Sequence, residues 1–350
     1  MAKKRLILGG GITGLAAGVA SGLPVFEAAD NPGGICSSYY VRPGETERLA
    51  RLPDDEDAYH FEIGGGHWIF GGDPGVLRFI GEMVSVKSYA RRSSVYFPEK
   101  NLYVPYPLQN HLRSLGHGIA AQALAEMARP QSPYRTMKQW LEQSFGPTLC
   151  DLFFHPFHDL YTDKLYDRIA PQDDYKSPVK LSLAIQGAFD DAPAVGYNVN
   201  FIYPERGLNT LAARMAARAD IRYGKRVVGV DAGKKVVTFS DGGSLSYDLL
   251  ISTLPLNRMM ELTGIKVDAE PDPYTSVLVL NIGAVRGDAC PGDHWLYIPR
   301  TASGFHRAGF YSNVDASFLP ASRRKNGDGV SVYVERAFAG GTKPLDVEVR

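Results

Sequence analysis

The sequence predicts an α/β protein built from three structural parts, and three observations lead to that fold class. An apolar strand near the amino terminus runs directly into a glycine-rich turn and a helix. From about residue 73 to residue 165 the apolar residues follow helical spacing. Beyond residue 276 apolar and polar residues alternate, as they do in antiparallel strands. A chain of 350 residues is long enough to form two or three domains.

The first part opens with a strand followed by the pattern G-x-G-x-x-G, since residues 6–14 read Leu-Ile-Leu-Gly-Gly-Gly-Ile-Thr-Gly. In such a turn Gly9 permits the sharp bend, Gly11 lets the backbone approach a pyrophosphate, and Gly14 lets the helix pack closely on the strand. The helix predicted to follow, from residue 15 to about residue 21, directs its N-terminal amides toward the phosphates. The pattern therefore predicts a phosphate-binding turn.

An acidic residue, Glu27, ends the next apolar run, where a carboxylate accepts hydrogen bonds from ribose hydroxyls. Its charge would repel the 2′-phosphate of an NADP-type ligand. The alternative is a structural turn that binds nothing, because glycines are common in turns. Strand, glycines, helix and acidic residue follow in order within 27 residues. This order favours a Rossmann-type unit that binds a dinucleotide.

Two more glycine clusters follow in the first part. Gly33 and Gly34 end the sequence Asn-Pro-Gly-Gly, and Gly64-Gly-Gly leads into His67. Between them, residues 43–59 are polar and acidic, which predicts an exposed loop or hairpin.

The remaining elements are predicted from periodicity. Helical spacing predicts helices at Val76–Met83, His117–Met127, Met137–Phe145 and Leu208–Ala219. Strand character appears at Tyr96–Val104, Asn198–Tyr203, Ile221–Tyr223, Arg226–Val230, Val236–Phe239 and Leu249–Leu254, and in alternating residues over 276–314 and 329–335. We therefore predict a nucleotide-binding domain from residues 1–72 and 205–256, a mainly helical domain at 73–180, and an antiparallel-sheet substrate domain from 181–204 and 257–345.

Bulk properties limit the partners of this chain. Lysine plus arginine equals aspartate plus glutamate at 38 each, so no net charge draws the chain to nucleic acid or to an anionic membrane. No uncharged apolar run is long enough for a membrane span. Cys36, Cys150 and Cys290 are widely spaced and odd in number, which predicts neither a disulfide framework nor a zinc site. A cytoplasmic location is expected, and the oligomeric state stays open.

Several stretches together resemble a known enzyme clan. Gly9–Gly14, Glu27, Asn31–Gly34 and Ile251–Pro255 are similar to two-domain FAD-binding oxidoreductases of the amine-oxidase and protoporphyrinogen-oxidase kind. Within that clan the chain resembles UDP-galactopyranose mutases, the eukaryotic type most, and the likeness extends over about residues 5–345. The stretches that carry it are Gly65–Phe70, Val104–Asn110, Leu152–Phe157, Trp295–Pro299 and Phe305–Asn313.

The resemblance implies an uncommon use of flavin. In that family, N5 of reduced FAD attacks the anomeric carbon of a UDP-sugar and displaces UDP, and the sugar ring opens and closes again in the other size without net redox. The implied cofactor is FAD in its reduced form, with NAD(P)H as a candidate reductant, and the implied partner is a nucleotide-sugar. Such chemistry needs cations for the departing pyrophosphate.

The resemblance also assigns flavin contacts. His67 would lie beside the flavin ring and tune N5, whereas the alternative is a core histidine capped by a backbone carbonyl. Val228 would pair with adenine through its backbone, which position alone supports. The full set of implied cofactor contacts is Gly9, Gly11, Ile12, Thr13, Gly14, Glu27, Gly33, Gly34, Gly65, Gly66, His67, Val228 and Thr253.

On the substrate side, Arg307 matches the family arginine that grips the pyrophosphate, and it is with His67 a candidate catalytic residue. An arginine suits a diphosphate because its fork donates two hydrogen bonds in parallel. Tyr297 and Asn198 match other diphosphate contacts, and Gln109 and Phe153 match contacts to uracil. The alternatives are a solvated arginine, a core phenylalanine and a turn asparagine.

The chain also departs from the family pattern. His158 and Thr162 stand where the eukaryotic family has an asparagine and a tryptophan near the uridine, and Val314 replaces a tyrosine. Lys176 is the nearest cation to the second family arginine, and lysine lacks a bidentate grip. His158 and Lys176 thus remain candidate substrate contacts, but UDP-galactose as substrate is in question. An oxidoreductase of the amine-oxidase or desaturase type is the main alternative, and a non-catalytic flavoprotein is the third.

The end of the chain is the last point of comparison. The family closes its flavin site with a C-terminal segment that carries a Gly-Arg pair, and this sequence ends at Val347-Glu-Val-Arg350. We expect the sequence to be a fragment that lacks this segment, and the alternative is a shortened protein that completes the flavin site differently.

Overall fold

A parallel sheet at the amino terminus carries the glycine-rich turn. The structure is a computed structural model that describes residues 4–171, 179–195 and 199–342. The helices among these residues are α1 (Ile12–Ser21), α2 (Pro74–Met83), α3 (His117–Met127), α4 (Met137–Leu149), α5 (His155–Tyr161), α6 (Leu181–Phe189), α7 (Leu208–Ala216), α8 (Leu256–Thr263), α9 (Tyr311–Val314) and α10 (Ala321–Asn326). The strands are β1 (Arg5–Leu8), β2 (Val25–Phe26), β3 (Ser38–Val41), β4 (Tyr59–Glu62), β5 (Ile69–Phe70), β6 (Val86–Ala90), β7 (Ser93–Phe97), β8 (Leu102–Pro105), β9 (Asn200–Pro204), β10 (Ile221–Arg222), β11 (Val227–Asp231), β12 (Val236–Phe239), β13 (Ser244–Ser246), β14 (Leu249–Ser252), β15 (Thr275–Val285), β16 (Trp295–Tyr297), β17 (Arg307–Phe310) and β18 (Gly329–Ala339).

The first sheet has the strand order β10-β2-β1-β14, and all its strands are parallel. An antiparallel sheet of β11, β12 and β13 packs on it, and the two share a core that includes Leu8, Phe26 and Val237. Ligands of such α/β sheets bind at the carboxyl ends of the strands. The glycine-rich turn after β1 and Glu27 after β2 both lie at that edge, so the predicted α/β fold with a Rossmann-type unit is confirmed.

Local signals start the helices of the middle segment. Asp73 caps α2 by accepting a hydrogen bond from the Gly75 amide at 2.6 Å. Thr136 and Gln139 form a capping box at the start of α4. Helices α3 to α6 then bury a common apolar core together with side chains of β7 and β8.

The strand character predicted at Tyr96–Val104 belongs to two strands, because the stretch holds the end of β7, a turn and the start of β8. Asn101 adopts φ 48° at the turn, a left-handed conformation that asparagine tolerates and a continuous strand does not contain. The hairpin packs some of its side chains in the helical core, but its backbone belongs to a sheet of six strands in the order β15-β18-β17-β16-β7-β8.

The six-stranded sheet is antiparallel except where β16 pairs with β7 in parallel. Strand β7 comes from the segment predicted to be mainly helical, so this parallel pair joins that segment to the later strands. Two smaller sheets complete the described chain: the hairpin β3–β4 and the sheet β5-β9-β6. Segment 73–180 therefore contributes strands to two sheets that it shares with later residues. The division into three domains remains a prediction.

Other differences from the sequence prediction are local. Helix α7 ends at Ala216 rather than at residue 219, and α1 begins at Ile12 rather than at residue 15. Helix α8 and strand β13 were not predicted, since α8 buries none of its residues and β13 spans three. Among the described residues no helix has both the length and the apolar character needed to span a bilayer.

Candidate functional site

The glycine-rich turn closes tightly around the end of β1. Gly9 has φ 98°, a conformation that favours glycine, and a Cβ there would lie 2.6 Å from Thr253 Oγ1. A Cβ on Gly14 would collide with the Gly9 carbonyl oxygen. The Thr253 hydroxyl donates a hydrogen bond to the Leu8 carbonyl at 2.9 Å, which joins the end of β1 to the end of β14. These contacts explain why the turn requires glycine at both positions.

The second glycine pair faces the first turn. The Gly33 amide donates to the Gly10 carbonyl at 2.8 Å, and Gly33 has φ 110°. A Cβ on Gly34 would lie 3.3 Å from Gly11 Cα. Gly11 is the N-cap of α1, no side chain caps that helix, and its first turn holds no acidic residue. The uncapped amides of α1 beside Ile12 and Thr13 therefore form a cradle that suits a diphosphate.

Glu27 lies at the carboxyl end of β2 and is held by the backbone on both oxygens. Oε2 accepts a hydrogen bond from the Gly10 amide at 2.6 Å, and Oε1 accepts one from the Ala29 amide at 2.8 Å. A carboxylate has further lone pairs, so both oxygens can still accept hydroxyl donors. The residues at this edge thus fit a dinucleotide with free ribose hydroxyls.

Val228 occupies an irregular position of β11. The register passes from Val227 opposite Phe239 to Gly229 opposite Thr238, so Val228 has no opposite residue in β12. Its side chain is exposed. This bulge is a position where a backbone can turn toward a ligand.

The third glycine cluster lies against strand β18. Gly65 has φ 81°, and a Cβ there would lie 2.8 Å from Glu335 Oε1. A Cβ on Gly66 would collide with the Tyr333 hydroxyl. His67 is half-buried, and its Nδ1 lies 3.2 Å from the Gly65 carbonyl oxygen. The structure therefore presents His67 on a loop seated on the sheet, with one ring nitrogen directed to a backbone carbonyl.

Arg307 on β17 forms a two-pronged ion pair with Glu335 on β18. Arg307 Nε lies 2.7 Å from Oε2, and Nη2 lies 2.6 Å from Oε1. Burial acts to raise the pKa of Glu335, but Arg307 and His306 outweigh it and bring that pKa down to about 2. Burial opposes the charge of Arg307, yet the adjacent Glu335 raises its pKa, so both groups are charged at neutral pH.

Aromatic side chains stand beside this ion pair. Tyr297 is opposite Arg307 in the pairing of β16 with β17, and its ring lies 4.6 Å from that of Tyr106 and 5.5 Å from that of Phe157. The exposed ring of Tyr161 lies 5.3 Å from that of His306. The ion pair therefore lies beside a group of packed aromatic rings, which we call the aromatic wall and which consists of Tyr106, Phe157, Tyr161 and Tyr297.

The residues expected near the base lie on or near the helical core next to the aromatic wall. Gln109 and Phe153 are both 2% exposed, and Phe153 stacks 5.2 Å from Phe157 in the helical core. His158 Nδ1 lies 2.7 Å from the Phe154 carbonyl, and burial lowers the pKa of His158 to about 4, so its ring is neutral at pH 7. The Thr162 hydroxyl donates to the His158 carbonyl at 2.7 Å. Lys176 and Asn198 lie outside the described residues.

Sequence reasoning missed the partner of Arg307. Glu335 is 4% exposed, in a strand where residues 331, 333, 335 and 337 are buried and those between them are less so. A charged residue in the inward phase of an alternating strand needs a partner, which was the signal available. Tyr106, Tyr161 and His306 carried no comparable signal, because their neighbours come from distant parts of the chain.

Comparison with known proteins defines the class. The profile of the flavin containing amine oxidoreductase family matches residues 17–282, so the chain belongs to that family. A crystal structure of reduced UDP-galactopyranose mutase superposes with a TM-score of 0.82 at 24% identity, covering 99% of this chain and 77% of that one. The chain is thus similar in fold to a mutase within a flavin-containing family, as the sequence resemblance predicted.

Other structures share the fold more distantly. A CLA-producing fatty acid isomerase from P. acnes has a TM-score of 0.56 at 14% identity, covering 99% of this chain and 80% of that one. A putrescine oxidase variant has a TM-score of 0.52 at 17% identity, covering 96% and 75%. The fold therefore serves proteins with different named activities.

Proposed function

We propose that this protein is a flavin-dependent nucleotide-sugar mutase that interconverts pyranose and furanose ring forms. The observation that carries the proposal is Arg307, a half-buried cation beside the aromatic wall. Arg307 forms an ion pair with Glu335, and Glu335 packs against Gly65 in the loop that presents His67. The fold likeness to reduced UDP-galactopyranose mutase supports the same reaction. A nucleotide-sugar has both an aromatic base and a diphosphate for such a site.

The dinucleotide edge would hold FAD. The uncapped start of α1 would bind the pyrophosphate, Glu27 would accept hydrogen bonds from ribose hydroxyls, and the backbone at Val228 would contact the adenine. Gly65, Gly66 and His67 would lie beside the ring system. When bound in its reduced form, with NAD(P)H as a candidate reductant, the flavin supplies a nucleophilic N5 atom.

The chain's own contribution is to stabilise the departing diphosphate. Arg307 uses Nε and Nη2 on Glu335, and among the described residues none accepts a hydrogen bond from Nη1. That edge can donate to phosphate oxygens as negative charge develops on them, and Tyr297, paired with Arg307 across the two strands, would supply a second donor. Because these donors are already in position, no free energy is needed to reorganise them when the sugar–phosphate bond breaks.

A second candidate is an oxidoreductase of the amine-oxidase or desaturase type. Its support is specific: His158 and Thr162, at the family's uridine positions, direct Nδ1 and Oγ1 to backbone carbonyls of their own helix. The fatty acid isomerase and the putrescine oxidase variant share this fold without a nucleotide-sugar in their names. In this alternative the site binds an anion other than a diphosphate.

The experiment uses the full chain with bound flavin. The protein is reduced anaerobically with dithionite, mixed with UDP-galactose and a panel of other nucleotide-sugars, and the products are separated by chromatography and weighed by mass spectrometry. We expect a new peak of unchanged mass that forms with reduced protein and not with oxidised protein. An intact flavin band with no isomer from any sugar would favour the oxidoreductase.

Substitutions test whether the diphosphate binds at Arg307. Arg307→Ala should raise the Kd for UDP at least tenfold and abolish turnover, with flavin content unchanged. The matched control is Arg323→Ala, since Arg323 is 28% exposed and pairs with Asp328 at 2.8 Å in α10. Equal UDP affinity in the Arg307 variant and the control would place the diphosphate elsewhere.

A further inference from the structure

Glu335 is a buried carboxylate that the sequence motifs leave unassigned. We propose that Glu335 is a positioning residue: it selects the edge of Arg307 that faces the substrate diphosphate and ties that edge to the loop that presents His67. This inference rests on the proposed function and adds to it the residue that orients Arg307, the cation that would bind the diphosphate.

The first step is the geometry of the ion pair. A guanidinium presents two forked edges, and Glu335 accepts from one of them through both of its oxygens, at 2.7 and 2.6 Å. Two parallel hydrogen bonds fix the plane of the guanidinium as well as its position. The remaining edge, with Nη1, is thereby held in a single direction.

The second step is the contact with the glycine loop. Glu335 Oε1, the oxygen that binds Arg307 Nη2, lies 2.8 Å from the position that a Cβ would take on Gly65. Glycine at 65 therefore lets the loop approach this carboxylate. His67 Nδ1 lies 3.2 Å from the Gly65 carbonyl oxygen, so the loop residue that packs against Glu335 also contacts the imidazole.

The third step is what holds Glu335 itself. It is 4% exposed, its backbone carbonyl accepts from the His306 amide at 3.0 Å, and His306 Nε2 lies 3.7 Å from Oε2. Strand pairing places Glu335 directly opposite Arg307. The carboxylate thus has little freedom, which is what a group that orients another residue requires.

A positioning role and a purely electrostatic role of Glu335 predict opposite effects of its removal on the affinity for UDP. If Glu335 only offset the charge of Arg307, its removal would strengthen binding of an anion. If it orients Arg307, its removal weakens binding, and a carboxylate on a shorter side chain does not restore it. We expect Glu335→Ala and Glu335→Asp each to raise the Kd for UDP at least tenfold, with flavin content unchanged.

A double-mutant cycle gives the decisive measurement. The Kd for UDP is measured by titration calorimetry for the wild type, Glu335→Ala, Arg307→Ala and the double variant, with Glu335→Gln as the nearly isosteric version if the alanine variant does not fold. Because Glu335 acts through Arg307, its removal should change nothing further in the Arg307→Ala background. Glu126→Gln is the control, since Glu126 is also buried but binds Thr148 in the helical part.

The outcomes separate the two proposals. Unchanged or tighter UDP binding in the Glu335 variants, or fully additive effects of the two substitutions, overturns the positioning role and leaves the proposed function standing. A wild-type protein that binds neither UDP nor inorganic pyrophosphate overturns the proposed function together with this inference.

Discussion

At the residue scale, single carboxylates hold the groups around them at the two edges of the candidate site. Glu27 accepts hydrogen bonds from the Gly10 and Ala29 amides, and it still has lone pairs that could accept from ribose hydroxyls. Glu335 holds the guanidinium of Arg307 in a bidentate ion pair. These contacts are the basis of the roles proposed for the two acids, which residue type alone does not indicate.

The role of Glu27 can be tested by flavin retention. Glu27→Ala removes charge-assisted hydrogen bonds to the ribose, a loss of about 1–3 kcal/mol in FAD affinity. The purified variant should therefore lose flavin on desalting, as measured by the absorbance ratio of flavin to protein. Glu47→Ala is the control, because Glu47 is exposed in the polar loop. Full flavin occupancy in the Glu27 variant would refute the assignment.

At the scale of elements, the strand β1, its turn and the helix α1 behave as one unit. Helix α1 can start at Ile12 only because Gly14 lets it pack against the end of β1. Sequence reasoning found this unit since its constraints are local. It did not find that the hairpin β7–β8 pairs with β16, because β16 lies about 200 residues further along the chain.

Alanine substitutions at two helical glycines, Gly14 and Gly81, test the packing of the glycine-rich turn. Gly14→Ala drives a Cβ into the Gly9 carbonyl, so we expect a loss of about 1–3 kcal/mol in stability and weaker flavin binding. Gly81→Ala in α2 is the matched change, since no atom lies within 4 Å of its Cβ. It should be neutral or stabilise by up to about 1 kcal/mol through helix propensity. Thermal unfolding distinguishes the two, and equal melting temperatures would contradict the packing argument.

At the scale of the whole molecule, Glu62 joins separate parts of the chain. Its carboxylate accepts from the Ser38 hydroxyl at 2.9 Å, from the Tyr203 hydroxyl, and from the Leu208 amide at 3.4 Å. It thus connects β3, β9 and the start of α7. Burial raises the pKa of Glu62 from 4.5 to about 7, although these hydrogen bonds act to lower it.

This raised pKa predicts how stability depends on pH. The folded state binds the Glu62 proton more tightly than the unfolded state, so the contribution of Glu62 is greatest below pH 4.5 and falls as the pH rises to about 7. The total change is about 3 kcal/mol. Glu62→Gln, which stays neutral, should lack this slope. Denaturant unfolding at several pH values measures it, with Glu126→Gln as the control that keeps the slope.

The sequence by itself determined the parts of this protein that depend on neighbours along the chain. The glycine-rich turn, the acidic residue after β2 and the family were predicted, because steric limits and hydrogen bonds within a few residues impose the turn and its motif. The caps at the starts of α2 and α4 are equally local, although the sequence prediction did not name them. The motifs also singled out Arg307 and His67.

Only the tertiary structure decided which residues meet. Strand register sets Arg307 opposite Glu335 and brings Gly65 onto the same carboxylate, while Phe153 lies in the helical core. Pairing between strands far apart in the chain depends on the packing of whole faces, and no local pattern states it. The glycine-rich edge can thus be predicted from a short sequence, whereas the orientation of Arg307 arises from the assembled sheet.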